Sequence, residues 1–199
     1  NRGYPEKPSL ELTGNRYRLD KTDRMVLFRG ICPTAKADIR RGKLSGISEG
    51  AGLVIDGYNL FFTILNYRMG KKLFIGYDGF LRDAGGTHGR FGNKKMLEEI
   101  MEESILFLKG RNCGSVCFYL DSPVSHSAEH TVLIQKIMET HGLKGSCGLG
   151  ASADYLIKQA LGPVKPPIMN TAKAEIPAHK TLAVSSDTGI IDSIPGGIY

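Results

Sequence analysis

Four short apolar segments of this chain each run into an aspartate: Leu53-Val-Ile-Asp56, Phe74-Ile-Gly-Tyr-Asp78, Cys117-Phe-Tyr-Leu-Asp121 and Ala183-Val-Ser-Ser-Asp187. Runs of this length, rich in β-branched and aromatic residues, read as buried strands. In an open α/β sheet ligands bind beyond the carboxyl ends of the strands, so all four aspartates are expected along one edge. Asp154, at the start of a helical segment over residues 152–161, can face the same crevice. Carboxylates gathered in this way repel one another unless some are protonated or a cation lies between them. A hard divalent ion, Mg²⁺ or Mn²⁺, suits an all-oxygen donor set and keeps waters for chemistry. One aspartate after a strand is usually an Asx-turn or a helix cap. Recurrence at four ends favours a metal-binding cluster.

The loop Asp83-Ala-Gly-Gly-Thr-His-Gly-Arg90 adds glycines whose backbone N–H groups can approach an anion, a hydroxyl, an imidazole and a guanidinium. Arg82, His88 and Arg90 are therefore candidates for holding phosphate, the plain alternative being a polar turn. Asp78 and Asp83 either join the site or cap the turn.

Other motifs carry less. His126-Ser-Ala-Glu-His130 has the spacing of a zinc-protease helix, but it lies beside Pro123 at a helix start and has no identifiable third ligand. It reads as a surface histidine pair. Gly148-Leu-Gly-Ala-Ser-Ala153 fits a dinucleotide fingerprint formally but follows no strong strand pattern, so a turn into the Asp154 helix is expected. Cys113-Gly-Ser-Val-Cys117 lacks a second pair at zinc-knuckle spacing, and no P-loop is present.

The elements that must position these residues follow a βαβα order beyond residue 50. Strands are expected at 53–55, 73–75, 116–120 and 182–184, with helices near 60–69, 94–109, 128–141 and 152–161. Parallel neighbours need crossover connections, so this order implies a mostly parallel, Rossmann-like sheet with helices on both faces. Residues 1–50 read as a small separate region. Ser9-Leu-Glu-Leu12 and Arg16-Tyr-Arg-Leu19 flank Thr13-Gly14-Asn15 as a possible hairpin, and Asp20 and Thr34 are candidate caps of two short helices. Residues 42–52 read as a linker and 162–180 as a long surface loop.

Charge divides along the same line. Of the 26 Lys/Arg and 20 Asp/Glu among 199 residues, the first fifty positions hold 11 and 6, so nearly all of the net +6 is at the front. A basic lobe on a near-neutral body suits a phosphate-rich partner, since Lys and Arg displace the counterions of a polyanion. No apolar run reaches the ~18 residues of a membrane span, and Asn1-Arg2-Gly3-Tyr4-Pro5 is not an export signal. Four cysteines in a chain long enough to build a core are expected as reduced thiols, and the setting as cytoplasmic.

The strings Asp56-Gly-Tyr-Asn59, Phe118-Tyr-Leu-Asp121, Ser152-Ala-Asp154-Tyr-Leu-Ile157 and Ser185-Ser-Asp187 resemble the spaced acidic motifs of the NYN branch of the PIN-like metal-dependent ribonucleases, over about residues 51–194. Arg2-Gly-Tyr-Pro-Glu-Lys-Pro-Ser-Leu-Glu-Leu12 and Asp78-Gly-Phe-Leu-Arg-Asp83 resemble a mainly archaeal family in which a small basic N-terminal region precedes such a domain. The resemblance implies that Asp56, Asp121, Asp154 and Asp187 bind Mg²⁺ or Mn²⁺ and are catalytic, with Asn59 and Ser185 orienting ligands or substrate. It implies hydrolysis of RNA phosphodiesters by a metal-activated water. A non-catalytic RNA-binding module and a small-molecule phosphohydrolase are the alternatives.

Overall fold

The computed structural model describes residues 3–42, 47, 49–84, 94–161 and 181–184. The chain divides into two units, one formed by Asn1–Ser45 with Thr63–His88, the other by Gly46–Phe62 with Gly89–Tyr199. Segment 63–88 groups with the N-terminal residues.

The second unit is a mixed α/β structure built on a parallel sheet. Its strands are β1 (Gly52–Asp56), β4 (Ser115–Asp121), β5 (Gly145–Gly150) and β6 (Thr181–Val184), in the spatial order β5-β4-β1-β6. Register places Asp56 beside Tyr119, Asp121 beside Gly150, and Ile55 beside both Phe118 and Val184. Successive connections step from β1 to β4 to β5, and the chain then returns to the far side of β1. Right-handed crossovers therefore put α6 (Ser127–His141) on one face and α7 (Ala153–Leu161) on the other. Consistently, α5 (Lys94–Gly110) packs on α6, while α7 lies against all four strands. The reversal of direction beside β1 makes a crevice at the carboxyl ends of β1 and β6.

Periodicity explains the packing. Leu97, Ile100, Met101, Ile105 and Leu108 recur on one face of α5 and are wholly buried, as are Leu53, Val54 and Ile55 of β1. Each such side chain stabilises the fold by about 1.5–3 kcal/mol. Central strand β1 is covered on both faces and reads as a continuous apolar run, as parallel strands do. Strand β5, Gly-Ser-Cys-Gly-Leu-Gly, has no such run, which is why residues 148–153 read as a turn from sequence. Tertiary pairing makes it a strand.

The N-terminal unit holds α1 (Glu6–Arg16), α2 (Lys21–Gly30), α3 (Thr34–Arg41), β2 (Leu73–Ile75) and β3 (Leu81–Asp83). The hairpin expected over residues 9–19 is instead helix α1. Ser9 and Thr13 donate their hydroxyls to the carbonyls of Pro5 and Ser9 one turn back. Gly14 is a packing residue there, not a turn residue, since a Cβ would stand 2.3 Å from a guanidinium nitrogen of Arg24 on α2. Asp20 caps α2 as expected, accepting from the Asp23 N–H at 2.7 Å. The α3 helix starts at Thr34 with Pro33 as its cap. Strand β2 occupies the expected residues but pairs antiparallel with β3 in a separate two-stranded sheet. Asp78 therefore does not end a strand of the parallel sheet, and the inference of four aspartates along one sheet edge is corrected at that position.

Candidate active site

Three aspartates emerge together at the carboxyl edge of the parallel sheet. Asp56 is the last residue of β1, and the chain enters α4 (Gly57–Arg68) at the next residue. Such a direct turn needs Gly57, because a Cβ there would stand 2.6 Å from Leu120 on β4. The Asp56 carboxylate accepts the Asn59 N–H at 3.0 Å and also the Tyr58 N–H, so it caps the helix it precedes. Asp121 ends β4, and its carboxylate accepts the Ala153 N–H at 2.7 Å, the first residue of α7. That bond holds the start of α7, and Asp154 with it, against the end of β4. Asp154 is exposed, Asp121 and Asp56 partly so.

The other two carboxylates act on Asp56. The Asp56 acid is pushed up to about 6, first by burial and then by the charges of Asp121 and Asp154, against the lowering effect of the Asn59 and Tyr58 N–H groups. Two further carboxylates are thus near enough to oppose its ionisation. Among the described residues no three His, Cys, Asp or Glu are drawn close enough to form a ready-made metal cage. The donors are all oxygens, and magnesium characteristically takes one or two carboxylates and retains water. Asp56, Asp121 and Asp154 suit that kind of open site. The fourth expected ligand, Asp187, lies outside the described residues, as do Ser185, His88 and Arg90. Asn59, expected to orient ligands, is partly buried and gives its backbone N–H to Asp56.

The remaining candidates have other surroundings. Asp78 has a side chain only 2% exposed, bound by Arg82 through two nitrogens at 2.6 and 2.7 Å and by Arg40 at 2.7 Å. Those guanidiniums, Arg82 foremost, hold its carboxyl far below the usual range. Arg82, read from sequence as a phosphate ligand, directs both terminal nitrogens at this carboxylate. Asp83 is likewise buried and bound by Arg29 at 2.8 Å. These ion pairs tie α2 and α3 to the β2–β3 hairpin.

One feature of the acidic edge was misread from sequence. His130 is not a surface histidine: it is 5% exposed, and its Nδ1 lies 2.9 Å from the Tyr58 hydroxyl, itself in a side chain 2% exposed. Helical spacing carried a signal for this, since His130, Ile134 and Met138 recur every four residues and are all buried. His126 is exposed, in left-handed backbone at the start of α6, and pairs with Glu129 at 3.1 Å. All four cysteines are free thiols, and burial pushes Cys147 up to about 12, which makes it inert.

Residues 46–197 match the family model described as "Domain of unknown function (DUF5616)", and the chain belongs to that family. Residues 1–43 match a second model, "Protein of unknown function (DUF434)". Among individual proteins, the chain is similar to "Uncharacterized protein MJ0935" of Methanocaldococcus jannaschii, with 26% identity over 160 residues, covering 79% of this chain and 76% of that one. No solved structure matches it. Among the described residues no helix is long and apolar enough to cross a membrane.

Proposed function

We propose that this protein is a PIN-like, metal-dependent endoribonuclease whose Asp56, Asp121, Asp154 and Asp187 hold Mg²⁺ or Mn²⁺. The observation that carries this reading is the placement of Asp56 and Asp121 at the carboxyl ends of adjacent parallel strands, with Asp154 held beside them by the Asp121–Ala153 bond, next to the switch point of the sheet. A divalent ion bound there supplies a water of lowered pKa and polarises the scissile phosphodiester. The chain's own part is positional. Backbone N–H groups of Asn59 and Tyr58 fix the Asp56 carboxylate, and the Ala153 N–H fixes that of Asp121.

The substrate class follows from charge. The N-terminal unit contains 15 Lys/Arg against 7 Asp/Glu, a net of +8, and the sheet unit 11 against 13, a net of −2. Segment 63–88 thus adds to a basic surface already present in the first helices. A polyanion is the partner such a surface fits. The purified protein with Mn²⁺ should cleave RNA, and Asp56→Asn or EDTA should reduce cleavage by at least about a hundredfold, as loss of a metal ligand does. Cleavage that survives both changes overturns the proposal. The charge distribution also favours a second reading, an RNA-binding module without turnover, which salt-sensitive RNA binding with no metal-stimulated cleavage would select.

A further inference from the structure

The Asp56 carboxylate is held by the first N–H groups of α4, so its position is set by how the start of that helix is seated. Contacts of its first turn seat it. Gly57 allows close approach to Leu120, the Phe61 ring stacks on Phe118 with centroids 5.8 Å apart, and the Tyr58 hydroxyl meets His130 Nδ1 at 2.9 Å. The first two bind α4 to β4, and the third binds it to α6. Helix α6 begins a few residues after Asp121, at the end of the turn that leaves β4.

The geometry points to Tyr58 and His130 as positioning residues that join the helix behind Asp56 to the helix behind Asp121 and so set the distance between the two carboxylates. This rests on the metal-site reading given above and extends it to groups that touch neither metal nor substrate.

The chemistry of the pair fits a fixed spacer. Both side chains are buried, the tyrosine 2% and the histidine 5% exposed. The phenol and the imidazole share one hydrogen bond, whose direction is set by the imidazole tautomer. The Tyr58 ring is stacked on Phe62 at 5.5 Å and lies edge-on to His130 at 6.0 Å, so aromatic contacts flank it on both sides. A hydrogen bond adds what apolar contact lacks, which is a preferred length and direction.

The test is Mn²⁺ affinity, measured by electron paramagnetic resonance and calorimetry on the full chain, together with RNA cleavage. Tyr58→Phe and His130→Leu should each weaken Mn²⁺ binding about tenfold, the usual scale for groups behind the ligands. kcat should fall while KM for RNA stays unchanged. His130→Asn, whose amide stands near the lost Nδ1 and can accept from or donate to the Tyr58 hydroxyl, should restore Mn²⁺ affinity to within about threefold of the parent. Wild-type affinity in a folded Tyr58→Phe protein overturns the proposal. If that variant does not fold, equal affinities for His130→Asn and His130→Leu overturn it. A parent protein that binds no Mn²⁺ overturns the metal-site reading and this proposal with it, whereas a binding parent with unaffected variants overturns this one alone.

Discussion

At the scale of single residues, Asp56 is a carboxylate whose environment opposes its own ionisation. Its folded pKa of about 6 lies above the ordinary 3.8, so between those values the native chain keeps a proton that the unfolded chain has released. Stability in the absence of metal must therefore decline as pH rises from about 4 to above 6. The shift corresponds to at most about 3 kcal/mol. Asp56→Asn should stabilise the metal-free protein by roughly 1–3 kcal/mol at pH 7.5, and the gain should vanish near pH 4. Urea unfolding in EDTA at several pH values measures this. On the proposed function, the same substitution should abolish metal-stimulated cleavage.

Among the elements, β5 shows what pairing alone can impose. Gly145 has φ of 142°, and a Cβ on it would stand 1.8 Å from the Val116 carbonyl oxygen. Gly145→Ala should destabilise the sheet by at least about 2 kcal/mol, since both the backbone conformation and the contact are denied to alanine. The Val116 N–H, which donates to Lys144 at 2.8 Å, should lose protection from hydrogen exchange before the β1 amides do. Unchanged protection there would show that β5 tolerates the side chain. Of the glycines that spoil the strand pattern in the sequence, Gly145 and Gly148 lie close against β4, and Gly150 against Leu156 of α7.

On the scale of the whole molecule, charge and ion pairing separate the two units. Asp78 joins α3 to the hairpin segment through Arg40 and Arg82, and removing it leaves two guanidiniums without their buried partner. Asp78→Asn should destabilise the N-terminal unit by about 3–5 kcal/mol. Because its folded pKa is depressed, the ionised group stabilises above about pH 4, and that stability is lost as pH falls further. Circular dichroism across an acid titration checks the sign. The exposed Lys7 and Lys21 line one groove between α1 and α2. Reversing both to Glu should weaken RNA binding and flatten its salt dependence by up to about 1.4 in the log–log slope, at ~0.7 per phosphate contact on a single strand. A slope equal to that of the parent would place RNA elsewhere.

The strong amphipathic and buried periodicities of α5, α6, β1 and β4 are local properties of the chain, and they were legible together with the βαβα order and the aspartates that end β1 and β4. Local patterning could not reveal partners. The strand at 73–75 has an apolar run, yet it leaves the parallel sheet to pair with β3, and Asp78 goes with it to a buried position bound by Arg40 and Arg82. The Gly-rich β5, the helical α1 with its buried Gly14, and the Tyr58–His130 bond were decided by contacts between residues far apart in sequence. Amino-acid order by itself determined which segments become helices or strands wherever one face is plainly apolar. Only the tertiary structure decided which carboxylates stand together, because repulsion, burial and hydrogen bonding depend on distances that chain position does not contain.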